Sequence, residues 1–429
     1  MKFNLSKIIS FLLSVFFLII FFYLIFRSVI ISDSFFSIYT VYLIIDLLLL
    51  FFWVYIFFTK NNRIRILSII YLFAILIPVY GFEILQNYPQ LKLVFKDFDI
   101  RTKKAVYNDV SKNRKVVPTV PIGHEDIDDK NFDFFPLGGI SNEYTLFCNQ
   151  EGQYVFYDSD RYGFRNNDNL WDKKIDAVLL GDSFAQGACV ENTISENLNK
   201  VKNFNLINLG YQGSGPLKMY GALKEYGVDL RPKYIVWMYQ SYSALADLRH
   251  EMENDILIGY LNKDYKQNLK KFSNKVNNFL INVLSEKVKF DTDLKFSHTI
   301  KLYKTRHLII KLFEQENDYN YDNEFEKFKI IFENTIELSN EIDSEIIFVF
   351  FSELDYLRLK DYINADKKIL EYIDSKNIKK INIYEIMKNN SKFETFFPFE
   401  GKYHFGHFNE KGYKIVSDEI KKLIIDKWF

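Results

Sequence analysis

Nineteen consecutive residues without a charge, Ile8 to Phe26, constrain this chain more than any other feature of its sequence. A helix needs about twenty such residues to cross the hydrocarbon of a bilayer. A second run follows almost at once, Phe35 to Phe58, in which only Asp46 interrupts twenty-four residues. A third, Ile66 to Phe82, is shorter and carries Pro78 and Gly81, which a membrane helix tolerates where neighbours satisfy the freed backbone groups. We therefore expect a membrane anchor over residues 1–85 with three spans, at about 8–26, 35–58 and 64–82. A cleaved signal peptide would have a shorter apolar core, so the anchor should persist. Lys2 and Lys7 precede the first span, and Lys60, Arg63 and Arg65 crowd the second connection. Basic residues favour the cytoplasmic side, which places the N-terminus in the cytoplasm and everything past residue 85 outside. Asp46 has two readings: a proton or ligand site, or a hydrogen-bonded residue facing the other two helices.

The 429 residues leave room for at least one sizeable globular unit beyond the anchor. With 55 basic and 55 acidic residues the formal net charge is zero, so no global field points to nucleic acid, and that class of partner is excluded. The two cysteines, Cys148 and Cys189, both fall in the external part, where an oxidising compartment allows a bridge. They form a disulfide candidate; the alternative is two unrelated buried thiols. Neither has the spacing of a zinc site, and no metal or cofactor is expected.

Residues 86–154 are polar and turn-rich, with Pro118, Pro121, Pro136, Gly138 and Gly139, and read as an irregular lead-in wrapping the domain. Within a domain expected over residues 155–429, the pattern changes from about 175. Ile175–Leu180, Phe204–Asn208, Tyr234–Tyr239, Ile346–Phe351 and Ile381–Tyr384 are five short apolar runs, each a strand candidate. Helix-like segments lie between them, among them Leu217–Tyr226 and Asn323–Glu341. This alternation predicts an α/β fold with a parallel sheet covered on both faces. Residues 250–320 interrupt it with a Lys- and Asn-rich helical stretch, read as an inserted cap or arm.

Ligands of such sheets sit at the carboxyl ends of the strands. After the first candidate strand comes Gly181-Asp182-Ser183-Phe184, where a serine can present its hydroxyl while its own N–H faces a developing oxyanion; the plainer alternative is a turn with a helix cap. After the second comes Asn208-Leu209-Gly210-Tyr211-Gln212-Gly213, a Gly-rich loop whose N–H groups can approach an anion closely. Near the C-terminus, His404 and His407 precede a final amphipathic helix, where a histidine can swing over the first strand's end and take the serine proton; the plainer alternative is a structural or merely exposed histidine.

In that order, Gly181–Phe184, Asn208–Gly213, and His407 with Asn409 and Gly412 resemble blocks I, II and V of the SGNH (GDSL-type) hydrolases. The resemblance covers about residues 155–248 and 395–425. Asp160-Arg161-Tyr162-Gly163-Phe164-Arg165-Asn166 resembles, more narrowly, a poorly characterised bacterial group with N-terminal membrane helices. The resemblance implies a three-layer α/β/α, flavodoxin-like domain and acyl-ester chemistry on carbohydrate or lipid esters. Ser183 would be the nucleophile and His407 its base, with the N–H groups of Ser183 and Gly213 holding the oxyanion. Asp182 would anchor the turn.

Two departures stand out. Ser243 occupies the place of the family's third oxyanion donor, an asparagine, and a serine hydroxyl there is shorter and freer in direction. His404 stands where the family's triad aspartate would be, and a histidine cannot serve as an anionic orienter; Glu400, a nearby carboxylate, or a backbone carbonyl is left to orient His407. The resulting expectation is a membrane-anchored serine acyl hydrolase or O-acyltransferase acting on cell-envelope or surface glycan. It would sit in a bacterial inner membrane with its C-terminal domain in the periplasm, served by a membrane acyl-donor protein. The alternative is a catalytically degraded SGNH-like scaffold or glycan-binding protein.

Overall fold

The computed structural model describes residues 5–31, 38–88, 97–119, 121–123, 126–127, 133–306, 308, 320–358, 363–402 and 405–424. They form two compact units: Met1–Tyr88 with His298–Phe313, and Pro89–Ser297 with Glu314–Phe429.

The N-terminal part of the first unit is built from α1 (Leu5–Ile31), α2 (Ile38–Phe58) and α3 (Asn62–Asn87), with α1 packed against both others. The Asn61 side chain caps α3 by accepting from the N–H groups of Arg63 and Ile64. Large apolar side chains such as Phe11, Leu12, Phe22, Ile75 and Ile77 point outward, the reverse of a bundle built for water. Leu5–Phe26 and Asn62–Asn87 are long and apolar enough to cross a membrane, and Tyr42–Phe58 is a shorter apolar helix. Asp46 turns inward and is 5% exposed.

At the end of α3, the Glu83 carboxylate accepts from the N–H groups of Lys304 and Thr305 and from the Thr305 hydroxyl, while Asn87 donates to Glu83 and to Thr299. These contacts explain why α3 runs past residue 82. They also divide the stretch read as one inserted arm: residues up to Ser297 belong to the second unit and His298–Phe313 to the first.

The second unit is built on five parallel strands: β4 (Ala177–Leu180), β5 (Leu206–Asn208), β6 (Tyr234–Gln240), β7 (Glu345–Phe351) and β8 (Lys379–Asn382). They stand in the order β5-β4-β6-β7-β8. Registers such as Val178 opposite both Ile207 and Ile235, and Trp237 opposite Phe348, align the apolar runs. All seven residues of β6 are buried, as expected for a strand covered on both faces. On one side the helices 216–222, 243–251 and 322–341 pack together, and Phe328 and Phe332 of the last meet Tyr239 and Trp237 edge-on. Helix 194–199 packs instead with the C-terminal helix 410–424. The parallel sheet is thus covered on both faces, as the alternation predicted, in the three-layer α/β/α arrangement the resemblance implied. Because the chain leaves β4 for β5 on one side and returns to β6 on the other, the strand order reverses at the carboxyl end of β4, the usual place for a site in such sheets.

A small second sheet precedes this one: β1 (Val117–Pro118), β2 (Tyr144–Leu146) and β3 (Phe156–Asp158), with β2 pairing parallel to β1 and antiparallel to β3. Together with helix Lys103–Val110 it gives the lead-in more order than its turn-rich sequence predicted. Strands of two or three residues are too short to carry a readable alternation.

Candidate active site

Ser183 opens a single helical turn, Ser183–Gln186, immediately after β4. Asp182 caps that turn by accepting the Phe184 N–H at 2.9 Å, and burial pushes its carboxyl up to about 7. Gly210 lies so close to the same turn that a Cβ there would stand 2.5 Å from the Ala185 Cβ. Asn208 ties the two loops by donating to the Ala185 carbonyl and accepting the Gly210 N–H.

The Asp160–Asn166 segment holds this assembly from behind. Buried Asp160 accepts from the N–H groups of Tyr162 and Phe164 and from the side chains of Asn166 and Trp171; burial raises its carboxyl to about 6. Asn166 exchanges two hydrogen bonds with the backbone of Asn208. Arg165, 6% exposed, donates to the carbonyls of Gly187, Val190 and Glu191. Its guanidinium therefore fixes the chain that leaves the Ser183 turn, and burial lowers its pKa.

His407 arrives from the other end of the chain. The loop carrying it is secured by Asn409, which donates to the carbonyls of Thr395 and Phe397 and accepts the Gly412 N–H. The His407 ring packs on Phe184, with centroids 4.7 Å apart, and its Nε2 lies 2.8 Å from the Ser183 Oγ across 224 residues of sequence. Although part of the ring reaches solvent, its packed surroundings disfavour the imidazolium and lower its pKa to about 4. At neutral pH the ring is uncharged and able to accept a proton.

The partner of His407 on its far side is not a carboxylate. Gln150 meets Nδ1, with its Nε2 at 2.9 Å. Glu400, considered for this role from the sequence, has a positive φ and a largely exposed carboxylate paired with Lys402 at 3.1 Å. Among the described residues no carboxylate reaches His407. His404 lies outside the described residues.

Gly213 has φ +71°, with Pro121 3.0 Å from where its Cβ would be. Among the described residues, no hydrogen bond uses the N–H groups of Ser183 and Gly213. Ser243 begins the helix after β6, behind Tyr242 at φ +68°, and its hydroxyl oxygen is buried without a partner. The aromatic residues before the last helix divide into two groups. Phe397 and Phe408 are fully buried against Phe184 and Tyr413, whereas Phe399 and Phe405 form a half-buried cluster with Phe98.

Cys148 and Cys189 are joined by a disulfide. Gln150 and the role of Arg165 were missed from the sequence; the one available signal was that Gln150 stands two residues from a cysteine whose partner follows the serine turn.

No family model and no curated protein matches this chain. Solved structures do. A lipase/acylhydrolase from Enterococcus faecalis is 14% identical with a TM-score of 0.32, covering 58% of this chain and 95% of its own. A GDSL-like lipase from Bacteroides thetaiotaomicron is 14% identical with a TM-score of 0.33, covering 60% and 91%. The acetyl xylan esterase AlAXEase is 12% identical with a TM-score of 0.33, covering 58% and 100%. The chain is thus similar to structures of GDSL-type lipases, acylhydrolases and esterases, a likeness that assigns no residue and no substrate.

Proposed function

We propose that this chain is a serine acyl hydrolase or O-acyltransferase of the SGNH kind, with Ser183 as nucleophile and His407 as its base. The observation that carries the reading is the 2.8 Å approach of His407 Nε2 to Ser183 Oγ at the carboxyl end of the strand where the sheet order reverses. Ser183 Oγ attacks the acyl carbonyl carbon while its proton passes to His407 Nε2. The N–H groups of Ser183 and Gly213 and the Ser243 hydroxyl receive the oxyanion. As the carbonyl re-forms, the ester C–O bond breaks and His407 returns the proton to the leaving alkoxide. Water or a second alcohol then attacks the acyl-serine, gives its proton to His407, and frees Ser183, which takes that proton back.

Three apolar helices anchor this chemistry at a membrane, with the N-terminus cytoplasmic and the catalytic unit in the periplasm of a bacterial cell. The Cys148–Cys189 disulfide supports that side, since such bridges persist in oxidising compartments. The substrate is an ester-linked acyl group on envelope or surface glycan, and a membrane acyl-donor protein supplies the transferase variant. The absence, among the described residues, of a carboxylate on His407 and the serine at position 243 favour one alternative, a scaffold that has lost catalysis.

The test is fluorophosphonate labelling of the full chain in detergent, read by intact mass beside Ser183→Ala and His407→Ala. One adduct, abolished by either substitution, supports the enzyme. A folded wild type that takes none, beside a control esterase that does, leaves the scaffold.

A further inference from the structure

Resting on that reading, we propose that Gln150 replaces the triad carboxylate as the positioning residue for His407, its carboxamide oxygen accepting the Nδ1 proton, and that the Cys148–Cys189 disulfide holds Gln150 in register with Ser183.

An imidazole that takes a proton at Nε2 must already carry its own on Nδ1, and that N–H needs an acceptor; a base held in the opposite tautomer is nearly inactive. Gln150 is the side chain at Nδ1, 257 residues away in sequence. With its Nε2 toward the ring, the carboxamide selects the unproductive tautomer and leaves its own Oε1 buried without a donor. A half-turn of the terminal amide exchanges oxygen and nitrogen within the same volume. Oε1 then receives the Nδ1–H, and Nε2 is free to accept from Ser183.

Both sides of the disulfide are pinned. On the Gln150 side, Cys148 O accepts the Val155 N–H, Asn149 donates to the Asp99 carbonyl, and Gly152 N–H donates back to Asn149. On the other, Cys189 lies between Gly187 and Val190, whose carbonyls Arg165 holds. The bridge therefore links the orienting loop directly to the chain leaving the nucleophile turn.

A glutamine orients without adding charge, so it stabilises the imidazolium less than a carboxylate would, in keeping with the low pKa of His407. Among the described residues, the charged groups next to the residues of this site are Asp182, adjacent to Ser183, Glu353, whose carboxylate lies against Gly406, and Glu151, adjacent to Gln150 and near Glu410 and Lys411. Burial raises the pKa of Asp182, Glu353 and Glu151.

The experiment measures the rate of fluorophosphonate labelling against pH for the full-length wild type, Gln150→Ala and Gln150→Glu, each with the disulfide intact and reduced. Gln150→Glu, nearly isosteric, puts a carboxylate on Nδ1 and should move the acid limb of the profile up by about one pH unit or more. Gln150→Ala should label about 10- to 100-fold more slowly. Reduction should slow the wild type and leave Gln150→Ala unchanged. An acid limb unmoved in Gln150→Glu overturns the proposal whatever Gln150→Ala does, and equal slowing of wild type and Gln150→Ala on reduction overturns the disulfide's part. A wild type that does not label removes the enzyme reading itself, which separates the two failures.

Discussion

Replacing Arg165 by methionine keeps most of the side-chain volume but removes every donor to the Gly187, Val190 and Glu191 carbonyls, which Arg165 meets at 2.8, 2.9 and 3.2 Å. Each buried carbonyl left without a donor costs about 1–3 kcal/mol. Relief of the buried guanidinium's desolvation offsets part of that sum, and Glu196, 3.8 Å away and half exposed, adds little to the charge balance. A net loss of about 3 kcal/mol remains. For a unit of roughly 300 residues the unfolding entropy is near 0.6 kcal/mol/K, so the melting temperature should fall by about 5 °C. Tryptophan fluorescence of the detergent-solubilised chain would follow the transition, since Trp171 and Trp237 both lie in the second unit. Arg165→Lys should fall between the two, because one ammonium cannot span three carbonyls as a planar guanidinium does. A methionine variant that melts within about 1 °C of wild type would refute the argument that these bonds hold the turn.

Glu251 accepts the N–H groups of Gly215 and Leu217, and burial raises its carboxyl to about 7. Its folded pKa lies above the unfolded one, so between about pH 4.5 and 7 the folded chain keeps a proton the unfolded chain has lost, and its contribution to stability falls as pH rises through that window. Glu251→Gln should therefore be least favourable relative to wild type at pH 5 and recover toward pH 8; parallel melting curves across that range would contradict the assignment. Gly213→Ala forces an L side chain to φ +71° with Pro121 3.0 Å away, at a cost of about 1–2 kcal/mol. It should also slow serine labelling, and an unchanged melting temperature and rate would show that the loop yields freely.

The apolar helices, the five strands and the residues that end them were legible before any coordinates, because each depends on a local pattern: a run long enough for a bilayer, a buried strand, a glycine or serine just past a strand's end. Ser183 and His407 were legible for the same reason. What stands on the far side of His407 depends instead on how distant segments pack. Glu400 is close in sequence, yet its positive-φ backbone turns the carboxylate out to Lys402, while Gln150 is brought in by a short hairpin and a disulfide whose partner follows the serine turn. A neutral glutamine in a polar loop has no signature of its own. Likewise nothing in residues 298–305 foretold their seat on Glu83 and Asn87, more than two hundred residues earlier. Contacts of that kind depend on where two distant backbones come to lie, and side-chain type and spacing do not encode it.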